Sequence, residues 1–492
     1  MSPLLLFSFV IGYFLLLLFV AWRTSRNSNN DSFFIGNRNS NWVLVAFGMI
    51  GTSLSGVTFV SVPGAVGKPF AGGGYEAFTY FQVVIGYVIG YFIIAYVLLP
   101  LYYRLNLTSI YTYLSNRLGF VSYKTGATFF ILSRTLGATA RLYLVVKILQ
   151  DAILTSFGVP FWLTTLIILL MILLYTFEGG VKTIIWTDTL QTTCMLLGLI
   201  ICVIYILKSL NLGFSEGLNK LSENGFTKMF VWDPGSRLFF VKQVLAGAFI
   251  TVTMTGMDQE MMQKNISVKN LKDSRKNMLS FAFIQAAVVL LFLFLGGLLY
   301  IYGSANGIQT SPDKLFPTIA LSDKMPHIIS IIFIIALISA LFPSADGAIT
   351  ALTSSFCIDI LGIKRNDTID EGQKKKIRRT VHLAFAFVFL LVVMIFKWID
   401  NQSMISVILK VAGYTYGPLL GLFIFGILTK RKVNDRLVPY VAIAAPVICF
   451  IIDKFQKQLF GNFEIGLELI IINGLLTYIG LLFISKKELS AN

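Results

Sequence analysis

Pro343, Ser344, Asp346, Gly347 and Thr350 interrupt the apolar stretch Ile331–Ile360, and they set the chemistry to be explained. A carboxylate at the centre of a lipid-crossing helix costs roughly 2.5–3.5 kcal/mol on insertion scales. Proline deletes one backbone donor and leaves the carbonyl four residues earlier, on Ser339, without its helical partner. A free carbonyl, a hydroxyl and a carboxylate within two turns form an oxygen cage for a hard monovalent cation. The plain alternative is a kinked packing helix with a protonated Asp346. A second constellation is Arg134 and Arg141, seven residues apart and so on one helix face about two turns from each other. A guanidinium facing a cavity would clamp a carboxylate bidentately. The competing role is an ion pair with an internal acid such as Asp188 or Asp346.

The elements that position these groups follow from composition. The 492 residues are 56% hydrophobic and 13% charged, with mean hydropathy +0.77. That is a polytopic membrane protein, not a soluble domain. Hydropathy gives thirteen candidate spans, near 3–22, 43–67, 77–102, 125–156, 160–178, 183–207, 238–263, 277–303, 327–361, 380–397, 403–428, 437–453 and 464–485. Met1–Trp22 lacks a basic leader and a small-residue cleavage site, so it is expected to be retained as a span. Placing the N-terminus outside and the C-terminus in the cytoplasm puts 25 of the 40 Lys and Arg residues in cytoplasmic segments and 10 in outer ones, as the positive-inside rule asks. The net charge of +16 therefore reads as a topology signal beside anionic lipid, with the bilayer and no nucleic acid as partner. Cys194, Cys202, Cys357 and Cys449 lie in apolar runs without zinc spacing, and His327 and His382 are expected at interfaces. No nucleophile–base pair, P-loop or metal-ligand spacing appears, which disfavours an enzyme and an ATP-driven pump.

Two blocks of five spans, 43–207 and 238–428, flank the longest outer loop, 208–237. Each opens with a span interrupted by small and hydroxyl residues: Gly51-Thr-Ser-Leu-Ser-Gly56 in the first, Thr251-Val-Thr-Met-Thr-Gly256 in the second. Paired interrupted helices at matching places point to a midplane binding site, because irregular backbone at that depth survives only where it lines a cavity or is buried in protein. Close packing through small residues explains the glycines but not the hydroxyls.

Three segments then resemble the signatures of the sodium/solute symporter family: Gly179-Gly-Val-Lys-Thr-Ile-Ile-Trp-Thr-Asp188, Gly256-Met-Asp-Gln-Glu-Met-Met-Gln-Lys264 and Gly417-Pro-Leu-Leu-Gly421-Leu-Phe-Ile-Phe-Gly426. The resemblance covers about residues 5–430. It implies an all-α fold of two inverted five-helix repeats with broken first helices. The expected division is 1–42 (extra span and loop), 43–209 (first repeat), 210–237 (outer loop), 238–428 (second repeat) and 429–492 (two extra spans). It implies a sodium ion held by the carbonyls of Gly51, Leu54 and Ala340 and by hydroxyls at positions 343 and 344. Ser344 keeps that pattern; Pro343 departs from it, so the freed Ser339 carbonyl substitutes or the site is weaker. Some members hold a second sodium using an acid at the position of Asp188 and a hydroxyl at that of Asp346, so Asp188 and Asp346 are expected to share one here. The alternatives are an interfacial role for Asp188 near Lys182 and a proton on Asp346. The solute is expected between the second, third and seventh spans. Ser55, Thr58, Phe78 and Gln82 are similar in type to residues of the sialic acid branch, and Phe78 and Gln82, four apart, share a helix face. Core packing explains Phe78 equally well. With Arg134 or Arg141 as a clamp, the expected function is sodium-coupled import of a small polar anion, such as a sugar acid or other carboxylate, by alternating access at the inner (plasma) membrane. A neutral sugar or amino acid is the alternative solute; an ion channel or a transporter-derived sensor is the alternative class.

Overall fold

The computed structural model of the protein describes residues 3–25, 33–34, 36–70, 73–177, 180–366, 368–399, 404–461 and 463–486. Gly179 of the first signature and residues 487–492 lie outside the described residues. Inside lipid every backbone polar group must be satisfied within its own segment, so apolar runs of this length fold as helices. In chain order the principal ones are α1 (Pro3–Thr24), α2 (Trp42–Ser53), α3 (Gly56–Ala65), α4 (Tyr80–Ile93), α5 (Phe120–Leu149), α6 (Phe161–Thr176), α7 (Gly180–Ser209), α8 (Phe240–Thr251) and α9 (Gln259–Ile266). They continue with α10 (Leu271–Ala305), α11 (His327–Ser355), α12 (Glu371–Trp398), α13 (Met404–Thr415), α14 (Gly417–Leu428), α15 (Val438–Phe460) and α16 (Leu469–Phe483). Among the described residues, strand pairing in a sheet is confined to a two-residue ladder, Lys432–Val433 against Ser485–Lys486.

By length and composition eight helices can cross a membrane, or up to eleven when each bent pair counts as one span. The expected spans at 160–178 and 464–485 are the shorter apolar helices α6 and α16, of 16 and 15 residues. At 1.5 Å per residue these reach about 24 Å, less than the ~30 Å hydrocarbon core.

Both expected interruptions are present. α2 and α3 meet at 58°, and the helix running through Gly256 meets α9 at 65°. In the first, Ser55 is extended (φ −68°, ψ 172°). The carbonyls of the last turn, Gly51 to Leu54, are then left without helical partners. In the second, Asp258 is extended and its carboxylate caps α9, accepting from the amides of Glu260 and Met261. A third bend, 45° between α13 and α14, falls where a continuous span 403–428 was expected. Pro418 stands in the first turn of α14 and cannot donate back to the helix before it. α11, by contrast, runs unbroken through Pro343.

Glycines set how closely the helices approach. A Cβ on Gly86 of α4 would overlap the Val244 carbonyl, and one on Gly247 of α8 would overlap the Val83 carbonyl, so the third and seventh spans cross backbone to backbone. His382 was expected at an interface. It is buried, between the hydroxyls of Thr176 and Thr353 at 3.2 and 3.0 Å.

Candidate functional site

A cavity of about 100 Å³ opens at the α2–α3 break. Leu54, Ser55 and Thr58 line one side, and Arg134 and Arg141 of α5 line another. Tyr80, Tyr87 and Tyr91 form a wall from α4; their spacing of seven and four places them on one helix face. The Tyr91 hydroxyl donates to Gln285 Oε1 (2.6 Å), whose amide donates to Ser53 at the break (2.9 Å). Tyr80, Ile405 and Leu409 also line a second cavity of about 400 Å³ on the side of loop 208–237. A layer one side chain thick therefore separates the two.

Behind the cavity α2 crosses α11. Gly51 is glycine because space demands it: a Cβ there would overlap the Thr192 hydroxyl and sit 3.4 Å from Pro343 Cγ. Ala340 and Ser344, on either side of Pro343 along α11, are both buried. Ser344 Oγ donates to the Leu341 carbonyl (2.8 Å), which leaves the hydroxyl's lone pairs to accept or to ligate. The Ser339 side chain faces away, donating to Tyr13 of α1 (2.7 Å). Freed carbonyls on α2 and, next to Pro343, a hydroxyl on α11 are oxygen donors of the kind a hard cation takes.

A profile of the sodium:solute symporter family matches residues 33–436. The chain belongs to that family. It is therefore a sodium-coupled secondary symporter of a small solute, a multi-pass plasma-membrane protein and not an enzyme. It is 25% identical to a sodium/sialic acid symporter of Aliivibrio fischeri, over 92% of this chain and 88% of that one. It is 23% identical to another of Proteus mirabilis, over 98% and 96%. A mouse sodium-coupled monocarboxylate transporter 2 is 25% identical over 83% of this chain and 65% of its own. In fold the symporter superposes on the substrate-bound outward-open state of a Na+-coupled sialic acid symporter with a TM-score of 0.82, at 20% identity over 98% of this chain and 99% of that one. A nucleobase-cation-symport-1 family transporter in a closed conformation gives 0.53 at 13% identity, over 93% and 95%.

On the side of the cavity away from loop 208–237, the symporter carries a buried ion network that sequence reasoning missed. Arg134 pairs with Glu260 and lies 3.9 Å from Asp258. Lys264 is 2.7 Å from Asp188 Oδ2, 2.6 Å from the Thr52 hydroxyl and 3.6 Å from Glu260. Asp346 Oδ2 accepts from the Tyr175 hydroxyl (2.6 Å). Asp188 Oδ1 and Asp346 Oδ1 are buried with no hydrogen-bond partner among the described residues. The Asp258–Lys264 segment was legible as a family signature. Its signal as a network is the i,i+4 spacing of Glu260 and Lys264 on a helix.

Of the expected solute residues, Ser55, Thr58, Arg134 and Arg141 share the cavity; Phe78 and Gln82 do not line it. Phe78 sits in the turn before α4, off helical geometry (φ −85°, ψ 15°), so the assumed common face does not exist. The Gln82 amide is consumed by backbone: it donates to the Thr79 and Leu238 carbonyls (3.3 and 3.1 Å) and accepts from the Val231 amide (3.1 Å). It pins the 208–237 loop to α4. Tyr80 and Tyr87 supply the aromatic surface instead.

Proposed function

We propose that this symporter imports a small organic carboxylate with sodium, and that Arg141 is the carboxylate's counter-ion. One observation carries the reading. Arg141 lines the cavity and has no ion pair among the described residues, whereas Arg134 is taken up by Glu260 and Asp258. A guanidinium in a half-buried cavity without an acid partner is costly, and an anionic solute repays that cost bidentately. Relatives named for sialic acid and for monocarboxylates support the class. Ser55, Thr58 and the Tyr80–Tyr87 wall would meet the solute's hydroxyls and apolar face.

Sodium would sit at the α2–α11 crossing on the carbonyls of Gly51, Leu54 and Ala340 and the Ser344 hydroxyl. Leu54 belongs to both sites, so sodium that fixes the break also orders the cavity wall. The coupling is reciprocal: each ligand raises the other's affinity by the same factor. A second cation would bridge Asp188 and Asp346. Its support is the pair of unpartnered carboxylate oxygens and the surplus of Asp188, Asp258, Glu260 and Asp346 over Arg134 and Lys264. Each sodium moving down about 100 mV supplies roughly 2.3 kcal/mol, and a tenfold gradient adds about 1.4 kcal/mol. Alternating access would exchange the thin partition at Tyr80, Ile405 and Leu409 for the ion network on the far side. The protein lies in lipid without nucleic-acid partners, its N-terminus outside and C-terminus cytoplasmic, with the division into repeats at 43–209 and 238–428.

The test is uptake into proteoliposomes under an inward sodium gradient, with sugar acids, monocarboxylates, neutral sugars and amino acids as competitors. Carboxylates should compete, and Arg141→Lys should raise the half-saturating solute concentration. Equal competition by a neutral sugar would overturn the reading.

A further inference from the structure

We infer that Thr192 is a sodium ligand in this chain, supplying from α7 the side-chain oxygen that Pro343 withholds from α11. The inference rests on the α2–α11 crossing being the sodium site. At that crossing a hydroxyl at position 343 would complete the shell, and proline has none to give. The side-chain oxygen that lies against Gly51 comes from a third helix. Thr192 is fully buried, and its hydroxyl has no hydrogen-bond partner among the described residues. That is unusual, since a threonine on a helix ordinarily bonds back to the carbonyl four residues earlier; Thr187, Thr189 and Thr193 on the same helix all do so. Thr192 instead lies against Gly51 and fills the space a Cβ would need, with Pro343 Cγ on the other side of that space. A buried hydroxyl left unbonded is costly, and a cation within reach would occupy its lone pairs and offset part of that cost.

The arrangement also explains Gly51. Only glycine lets the α7 hydroxyl approach the freed end of α2. Asp188, one turn earlier on α7, shares the face of Thr192, so one helix face would serve both cation positions.

The experiment is radiosodium binding to the purified protein without solute, which does not depend on the solute's identity. Thr192→Val removes the oxygen and keeps the shape, and should raise the half-saturating sodium concentration by at least about tenfold. Thr192→Ser should stay near the wild-type value. Pro343→Ser placed in the Thr192→Val background should recover affinity by restoring the missing hydroxyl. Ser344→Ala is the arm that tests the crossing itself. If Ser344→Ala weakens sodium and Thr192→Val does not, Thr192 is no ligand; if neither weakens it, the crossing is not the sodium site. Should Thr192→Val fail to fold, Thr192→Cys carries the same arm, because a thiol is a poor ligand for sodium.

Discussion

At the scale of single residues the symporter separates two arginines that the sequence presents as equals. Arg134 is a structural cation locked to Glu260, and Arg141 lines the same cavity with no ion pair among the described residues. Arg141→Gln should cost the solute a charge-assisted bond of about 1.5–3 kcal/mol, with solute-free sodium binding unchanged; isothermal calorimetry with and without solute reads both. Gln82 gives the opposite pattern. Gln82→Ala strips partners from three backbone groups, at about 1–3 kcal/mol for each buried group left unsatisfied. The melting temperature should fall while the affinity of the remaining folded protein for solute holds. An affinity loss without a stability loss would return Gln82 to the solute site.

At the scale of elements the broken helices matter because of what plugs each break. The bend before α9 is held by tyrosines: Tyr102 donates to the Gly256 carbonyl (2.8 Å), Tyr111 to that of Met257 (2.9 Å) and Tyr416 to the Asp258 carboxylate (2.9 Å). Tyr416 stands at the α13–α14 bend, so one hydrogen bond joins two hinges. α9 carries Lys264 to Asp188 of α7. Removing the ammonium with Lys264→Met leaves Asp188 buried and unpaired, a loss of roughly 3–5 kcal/mol. The double variant Lys264→Met/Asp188→Asn should recover most of it. Thermal melts of the two singles and the double close that cycle, and strict additivity would mean the pair does not interact.

At the scale of the whole molecule, a thin partition on one side of the cavity and a layer of buried ion pairs on the other describe a transporter poised toward loop 208–237. Sodium should stabilise this arrangement over the unfolded chain, by about 2.7 kcal/mol at one hundred times its dissociation constant. The melting temperature should therefore rise with sodium but not with equal potassium. Indifference to sodium would contradict the coupling.

The sequence alone determined the class of molecule, the broken second and seventh spans, and the family. Each is written in local quantities: hydropathy over about twenty residues, small and hydroxyl residues at one depth, and motif spacing. Ser55 and Thr58 were legible as cavity residues through their resemblance in type to the sialic acid branch, and the two arginines because helical periodicity assigns faces. Phe78 failed for the same reason in reverse, since periodicity was assumed across the start of α4, where the backbone is not helical. Only tertiary structure could decide which charge neutralises which. Arg134 meets Glu260, 126 residues away, and Thr192 lies against Gly51. Such partners are chosen by how helices cross, and no spacing along the chain records a crossing.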